Sequence, residues 1–126
     1  MINYVTLGVR DIAAAKRFYC DLLAEIGAKL LIDGQRIVFI GKSMTDPMLA
    51  ICVPFNQEPA TPGNGNMVAF SPGSTAAVDA LYKKALALGA RCEGKPGERM
   101  PGIFYGAYVR DADGNKLCFN HFLKHF

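Results

Sequence analysis

The segment YVRDADGNKLCFN contains the densest group of side chains that could do chemistry. Asp111, Asp113 and Asn115 alternate as the first oxygen ligands of a calcium-binding loop do. Such a loop needs Gly at its sixth position and Glu at its twelfth, and counting from Asp111 these positions hold Lys116 and Phe122. We therefore interpret DADGN as a hairpin turn between two strands, not as a cation site.

The two histidines, His121 and His125, are four residues apart. This spacing suits metal binding on a helix, but in a strand His121 would face away from Cys118 and Asn120. The same alternation prevents Cys118 and His121 from acting as a nucleophile and its base. We expect surface histidines and assign no catalytic residue.

The four cysteines are too far apart in sequence for a CxxC redox pair or a zinc ribbon. We therefore expect reduced thiols that act mainly as small hydrophobic side chains, as in a cytoplasmic protein. They are Cys20, Cys52, Cys92 and Cys118.

Side chains in and after the segment GKPGERMPG are the remaining candidates. The segment lacks the spacing of a phosphate-binding loop, and its glycines and prolines predict a flexible stretch. Arg99 within it is either a contact for an anionic ligand or an ordinary solvated arginine. Tyr105 and Tyr108 follow on opposite faces of a predicted strand, so only one of them can face a site.

Hydrophobic periodicity predicts the elements that position these residues. A strand, a helix and three further strands follow one another, with a DG hairpin turn between the second and third strands. The same order then starts again. Asp11 and Ser74 are the predicted helix N-caps, and Gly27 and Gly89 are the predicted helix stops.

The two halves also correspond residue by residue, which predicts two copies of a βαβββ module in a single domain. The modules span residues 1–55 and 66–126, joined by a Pro-, Gly- and Asn-rich linker at 56–65. Chance likeness of two alanine-rich helices is the alternative. Positions 63 residues apart match as follows: Tyr4 with Met67, Val5 with Val68, and Tyr19 with Tyr82.

Bulk properties exclude several classes of protein. With 126 residues, 51% of them hydrophobic, the chain can bury a core. Its net charge of +3 is scattered, so we expect no nucleic-acid partner. No apolar stretch reaches the roughly 18 residues of a membrane span, and the N-terminus has no signal-peptide pattern, so we expect no membrane association and a cytoplasmic location.

Three segments of the repeat resemble the vicinal oxygen chelate superfamily, which includes glyoxalase I, extradiol dioxygenases and the bleomycin and fosfomycin resistance proteins. The segments are YVTLGVRDIAAAKRFYCDLLAEIGAKLL, MVAFSPGSTAAVDALYKKALALGA and YVRDADGNKLCFN. The resemblance implies an α+β, glyoxalase-like fold in which two βαβββ modules form a curled mixed-sheet cup with the helices outside. It also implies a homodimer, since many members are dimers.

Family enzymes usually hold a divalent metal in this cup with His and Glu side chains, and the metal polarises the substrate's oxygens. By resemblance, the first-strand histidines fall on Tyr4 and Met67 and the last-strand glutamate falls on Cys118, with Ile51 as its counterpart in the first module. These side chains do not suit Mg, Mn, Fe or Ni, so we expect no cofactor. A copper site of Met67 and Cys118 is the soft-metal alternative.

Three functions remain open on this resemblance. The first is a binding protein that holds a small, largely apolar molecule, as the family's resistance proteins sequester drugs. The second is a lyase, isomerase or dioxygenase with a divergent site, using Tyr4, Asn120 or Arg99 as acid or oxyanion partner. The third is a domain kept for protein contacts. We favour binding, because both histidines and the glutamate are replaced together. The predicted ligand-binding residues are Tyr4, Ile51, Met67, Arg99, Cys118 and Asn120.

Overall fold

Both helices begin and end where the capping residues predict. In the structure, a computed structural model that describes residues 1–125, the Asp11 side chain accepts a hydrogen bond from the Ala14 amide at 3.0 Å. Ser74 caps the second helix in the same way. After the helices, Gly27 and Gly89 adopt φ angles of +84° and +103°, which favour glycine.

The chain divides into two compact units, Met1–Pro62 and Gly63–Phe126, and this division lies inside the segment predicted as a linker. Each unit has the element order βαβββ. Of the helices in the described part of the chain, none combines the length and hydropathy that crossing a membrane requires.

The first unit is a four-stranded mixed sheet with one helix. Its strand order is β1-β4-β3-β2, with β1 parallel to β4 and the other pairs antiparallel. The elements are β1 (Tyr4–Gly8), α1 (Ile12–Ala24), β2 (Lys29–Asp33), β3 (Ile37–Gly41) and β4 (Met48–Cys52).

One face of this sheet packs against α1. Lys16 on α1 forms an ion pair with Asp33, which lies opposite Val38 in the β2–β3 register. The face that includes Val38 is therefore the one next to the helix, and its side chains are almost completely buried. Its members are Leu7, Val38, Ile40, Leu49 and Ile51.

The second unit repeats this arrangement, with strand order β5-β8-β7-β6 and β5 parallel to β8. A hydrogen bond of 2.7 Å from the Tyr105 hydroxyl to the Asp79 carboxylate joins β7 to α2 and identifies the helix-covered face. The elements are β5 (Val68–Phe70), α2 (Thr75–Ala87), β6 (Arg91–Arg99), β7 (Phe104–Arg110) and β8 (Lys116–Phe122).

The prediction of a flexible stretch before Gly102 was wrong. β6 continues to Arg99, which still pairs with Phe104, and register shifts accommodate the Gly- and Pro-rich residues. Composition alone indicated a loop, but pairing with β7 keeps the segment extended.

The DADGN turn was predicted correctly. It connects β7 to β8, and Gly114 takes a φ of +84°. The buried Asp111 carboxylate accepts hydrogen bonds from the Asp113 and Asn115 amides and from the Asn115 side chain, at 2.8–3.0 Å. This turn fixes the register of the two strands that carry the candidate site.

Candidate functional site

The face of the second sheet opposite α2, here called the helix-free face, gathers most of the candidate side chains. Alternation along β7 and β8 puts Tyr108, Cys118 and Asn120 on this face, while Tyr105 and His121 lie on the face next to α2. The sequence left open which of the two tyrosines would lie on which face, and the structure places Tyr108 on the helix-free face. The side chains on the helix-free face include Ala69, Arg99, Phe104, Tyr108, Arg110, Lys116, Cys118, Asn120 and Phe122.

Cys118 lies beneath its neighbours on this face. Its residue is only 2% exposed, and Tyr108 lies opposite it in the β7–β8 register. Burial raises the pKa of the Cys118 thiol above its ordinary value of 9.0, so the sulfur stays protonated at neutral pH. Cys118 is thus a packed, neutral group.

The pKa of Tyr108 is also raised, first by burial and then by the neighbouring Cys118. A neutral phenol next to a neutral thiol offers no general base at neutral pH. The pair therefore contributes packing to this face and no proton-transfer group.

Two cations flank the Tyr108 ring. The Arg99 guanidinium carbon lies 5.4 Å from the ring centroid, and the Lys116 ammonium nitrogen lies 5.1 Å from it. Both distances are within the range of cation–π attraction. Lys116 was not among the predicted site residues, although strand parity from Cys118 places it on the same face.

Aromatic rings form the other end of the helix-free face. Phe104 and Phe122 lie opposite each other, with ring centroids 6.0 Å apart. Asn120 is half-buried between this pair and Cys118 along β8. The face therefore has an apolar end and a cationic end. Sequence analysis predicted the hairpin but did not identify this arrangement, because it also depends on the β6–β7 register and on where the long Arg99 side chain ends.

In the first unit, Tyr4 lies on the sheet face away from α1. It is 47% exposed, and its ring packs edge-to-face against Phe39 with centroids 4.9 Å apart. Met67, its counterpart in the second unit, precedes β5 and is 45% exposed. Both side chains are accessible, as a ligand-binding role requires.

The placement of Ile51 among the ligand-binding residues needs correction. Ile51 is fully buried and pairs with Val38, so it lies on the face next to α1, opposite to the face of Tyr4. Its neighbour Ala50 pairs with Thr6 just as Cys118 pairs with Ala69, which makes Ala50 the structural counterpart of Cys118. A slip of one residue in a strand reverses the face.

The side chains at the family's ligand positions do not fit its metal. Ala50 has no donor atom, Met67 has a thioether, and Cys118 is a buried, protonated thiol opposite Tyr108. Metals of the Mg, Mn, Fe and Ni type prefer oxygen and imidazole ligands. Within residues 1–125, no group of three or more His, Cys, Asp or Glu side chains could hold a metal ion.

Comparison with known proteins agrees with this architecture. A family model described as the glyoxalase/bleomycin resistance protein/dioxygenase superfamily matches residues 1–119. The chain belongs to this superfamily, and its fold is the α+β, glyoxalase-like fold. No curated protein matches the sequence.

Solved structures are similar over nearly the whole chain. A glyoxalase/bleomycin resistance protein from Albidiferax ferrireducens T118 is 36% identical, with a TM-score of 0.86 over 96% of this chain and 98% of that one. A lactoylglutathione lyase from Agrobacterium tumefaciens is 25% identical, with a TM-score of 0.69 over 95% and 92%. A family enzyme from Burkholderia phytofirmans PsJN is 23% identical, with a TM-score of 0.74 over 94% and 95%.

Proposed function

We propose that this protein binds a small, largely apolar molecule on the helix-free face of its second sheet, without the family's metal. The observation that carries the proposal is the composition of that face: aromatic rings with a few polar groups, and a buried, protonated Cys118 at the position expected for a metal-binding glutamate. Ligand sites are typically apolar surfaces with a few well-placed polar groups.

The ligand-contacting residues proposed here are Tyr108, Phe104, Asn120 and Arg99, with Cys118 supporting them from below. Tyr4 and Met67 stay separate candidates on their own strands because both are accessible. Ile51 is not retained, since it is part of the core next to α1.

The alternative is a lyase, isomerase or dioxygenase with a divergent active site. The similarity to a lactoylglutathione lyase favours it. In this case Tyr4, Asn120 or Arg99 would act as acid or oxyanion partner, and the reaction would not pass through a metal held by the family's usual ligands. Turnover of a bound molecule, detected by mass spectrometry, would separate this alternative from simple binding.

The test is a titration of 15N-labelled protein with a set of small aromatic and aliphatic molecules in the presence of a chelator. Binding that shifts the amide signals of Gly106 and Asn120 with the chelator present supports the proposal. Binding that appears only after a divalent metal is added would contradict it. The Val78 amide, inside α2, is an internal reference because its residue is fully buried.

We also propose that the protein is a cytoplasmic homodimer. The first unit exposes apolar side chains on its edge strand β1 and on the segment before it, including Ile2, Tyr4 and Val5. Burying such residues against a second copy would be favourable. Light scattering during size-exclusion chromatography tests it: twice the 13.6 kDa of the chain supports a dimer, and a single-chain mass contradicts it.

A further inference from the structure

We infer that the ligand carries a carboxylate, which Arg99 and Lys116 bind beside the Tyr108 ring. The inference rests on the proposed function of the same face and adds the chemical class of the ligand: a small organic acid with an aromatic or branched apolar body.

Arg99 and Lys116 carry positive charges that no nearby carboxylate within residues 1–125 compensates. The Arg99 guanidinium carbon and the Lys116 ammonium nitrogen lie 5.4 Å and 5.1 Å from the Tyr108 ring centroid. Neither forms an ion pair with a carboxylate in the described part of the chain. An anion bound beside the ring would be attracted by both cations.

The surrounding acids are already engaged. Glu98 is next to Arg99, but its carboxylate accepts a hydrogen bond from the Gly102 amide at 3.0 Å. Glu93 forms an ion pair with Arg110 at 3.1 Å, which compensates that third cation. Arg99, Lys116 and the exposed Lys95 are the cations of this part of the sheet that form no ion pair in the described part of the chain.

The guanidinium of Arg99 is held in place before any ligand binds. It folds back along β6 and donates to the Lys95 carbonyl at 2.7 Å and to the Glu98 carbonyl at 3.4 Å. A guanidinium has five N–H donors, so further donors stay available for an anion. A donor that is already ordered loses little entropy on binding.

Two glycines make room for this guanidinium. A Cβ at Gly97 would lie 3.0 Å from Arg99 Nη1, and a Cβ at Gly94 would lie 3.3 Å from Arg99 Nη2. Any other residue at these positions would displace the Arg99 side chain. The strand thus contains a seat in which a planar guanidinium lies against the backbone next to Tyr108.

Polar and apolar side chains are separated along the helix-free face. Phe104 and Phe122 form an apolar pair at the opposite end of the same face. A molecule with a carboxylate at one end and a ring or branched chain at the other matches both ends. The planar fork of arginine is suited to the two oxygens of a carboxylate.

The experiment uses phenylacetate, its neutral amide phenylacetamide, and phenyl phosphate as probes of the full-length, 15N-labelled protein. The Gly94 and Gly97 amides and the Arg99 side-chain Nε–Hε group report on the site. We expect phenylacetate to shift these signals and to bind about tenfold more tightly than the amide. Added salt should weaken the binding of phenylacetate but not that of the amide.

Variants assign the effect to the two cations. We expect Arg99→Met and Lys116→Met each to weaken phenylacetate binding about tenfold while leaving amide binding unchanged. Lys83→Met is the matched control. Lys83 is exposed on α2, so this substitution removes the same charge from the opposite side of the sheet. It should leave both affinities unchanged.

Several results would overturn the inference. Equal affinities for the acid and the amide would show that charge is not recognised, and the proposed binding function would stand. Undiminished phenylacetate binding in both variants would show that the carboxylate binds at other residues. Tighter binding of phenyl phosphate than of phenylacetate would overturn the carboxylate assignment. No response to any of the three probes would also overturn the carboxylate inference. The proposed binding function fails only if the aromatic and aliphatic molecules of the earlier titration require a divalent metal to bind.

Discussion

Tyr108 lies directly opposite Cys118 in the β7–β8 pair, on the helix-free face of the second sheet. Superfamily resemblance expects a metal-binding glutamate at position 118. The thiol there is buried and protonated, and it supports a tyrosine ring that two cations approach. We therefore expect ligand contacts from Tyr108, Arg99 and Lys116 and not from position 118.

Burial predicts the order in which the cysteines react. Cys92 is exposed and should be alkylated first by iodoacetamide at neutral pH, whereas Cys118 should react last because its thiol is 2% exposed and its pKa is raised by burial. Timed alkylation followed by peptide mass spectrometry measures this order. Unfolding in guanidinium chloride is the control and should make all four react at similar rates. Fast labelling of Cys118 in the native protein would contradict its placement.

The raised pKa of Cys118 predicts a loss of stability in alkaline solution. The folded state keeps the thiol neutral, so this contribution is complete below the ordinary thiol pKa of 9.0 and disappears as the pH rises through the higher folded value. Cys118→Ala should therefore show a flatter fall in the free energy of unfolding above pH 9 than the wild type.

The same variant should lose about 1–2 kcal/mol at neutral pH through the smaller side chain. Urea unfolding at several pH values measures both effects. Cys92→Ala is the control, because that thiol is exposed, and it should follow the wild-type curve. Parallel curves for the wild type and Cys118→Ala would show that the buried thiol does not cause the alkaline loss.

The two glycines of the guanidinium seat should respond differently to alanine. At Gly94 a Cβ would lie 2.9 Å from the Tyr108 ring, and accommodating it should cost about 1–3 kcal/mol of stability. At Gly97 the only close atom is the flexible end of Arg99, so stability should stay within about 0.5 kcal/mol of wild type.

Thermal and urea unfolding of Gly94→Ala and Gly97→Ala measure this difference. Gly97→Ala should nevertheless weaken phenylacetate binding, because it displaces the Arg99 guanidinium. A Gly97→Ala protein that is strongly destabilised, or a Gly94→Ala protein as stable as the wild type, would show that the seat is not arranged as described.

The turn between β7 and β8 should depend on Asp111. Its carboxylate accepts three hydrogen bonds while buried, so Asp111→Ala should lower the free energy of unfolding by about 2–3 kcal/mol. Asp113→Ala, in the same turn but half-buried, is the matched control and should cost clearly less. Urea unfolding measures both variants, and equal losses would contradict the role given to Asp111.

Much of the fold could be predicted because it depends on local chemistry. The caps at Asp11 and Ser74 and the glycines after each helix follow from hydrogen-bonding and φ requirements that a few residues satisfy. The division of Cys118 and His121 between opposite faces follows from strand alternation within one hairpin.

The site was less predictable because it depends on strand register and on where long side chains end, which the motifs do not specify. From Thr6 to Ala50 the first module is five residues shorter than the second is from Ala69 to Cys118, and this difference hides the one-residue shift that exchanges Ile51 for Ala50. The seat of Arg99 depends on glycines that composition assigns to a loop. Lys116 becomes a site residue only once the neighbour of Cys118 is known to be Tyr108.

The most direct test of metal-independent binding is elemental analysis by mass spectrometry of untagged protein, after incubation with Mg, Mn, Fe, Ni and Zn and extensive dialysis. The account predicts far less than one metal ion per chain, because the side chains at the family's ligand positions do not suit these ions. Retention of one equivalent of any of them would contradict it, and would favour a metal-dependent enzyme of the superfamily.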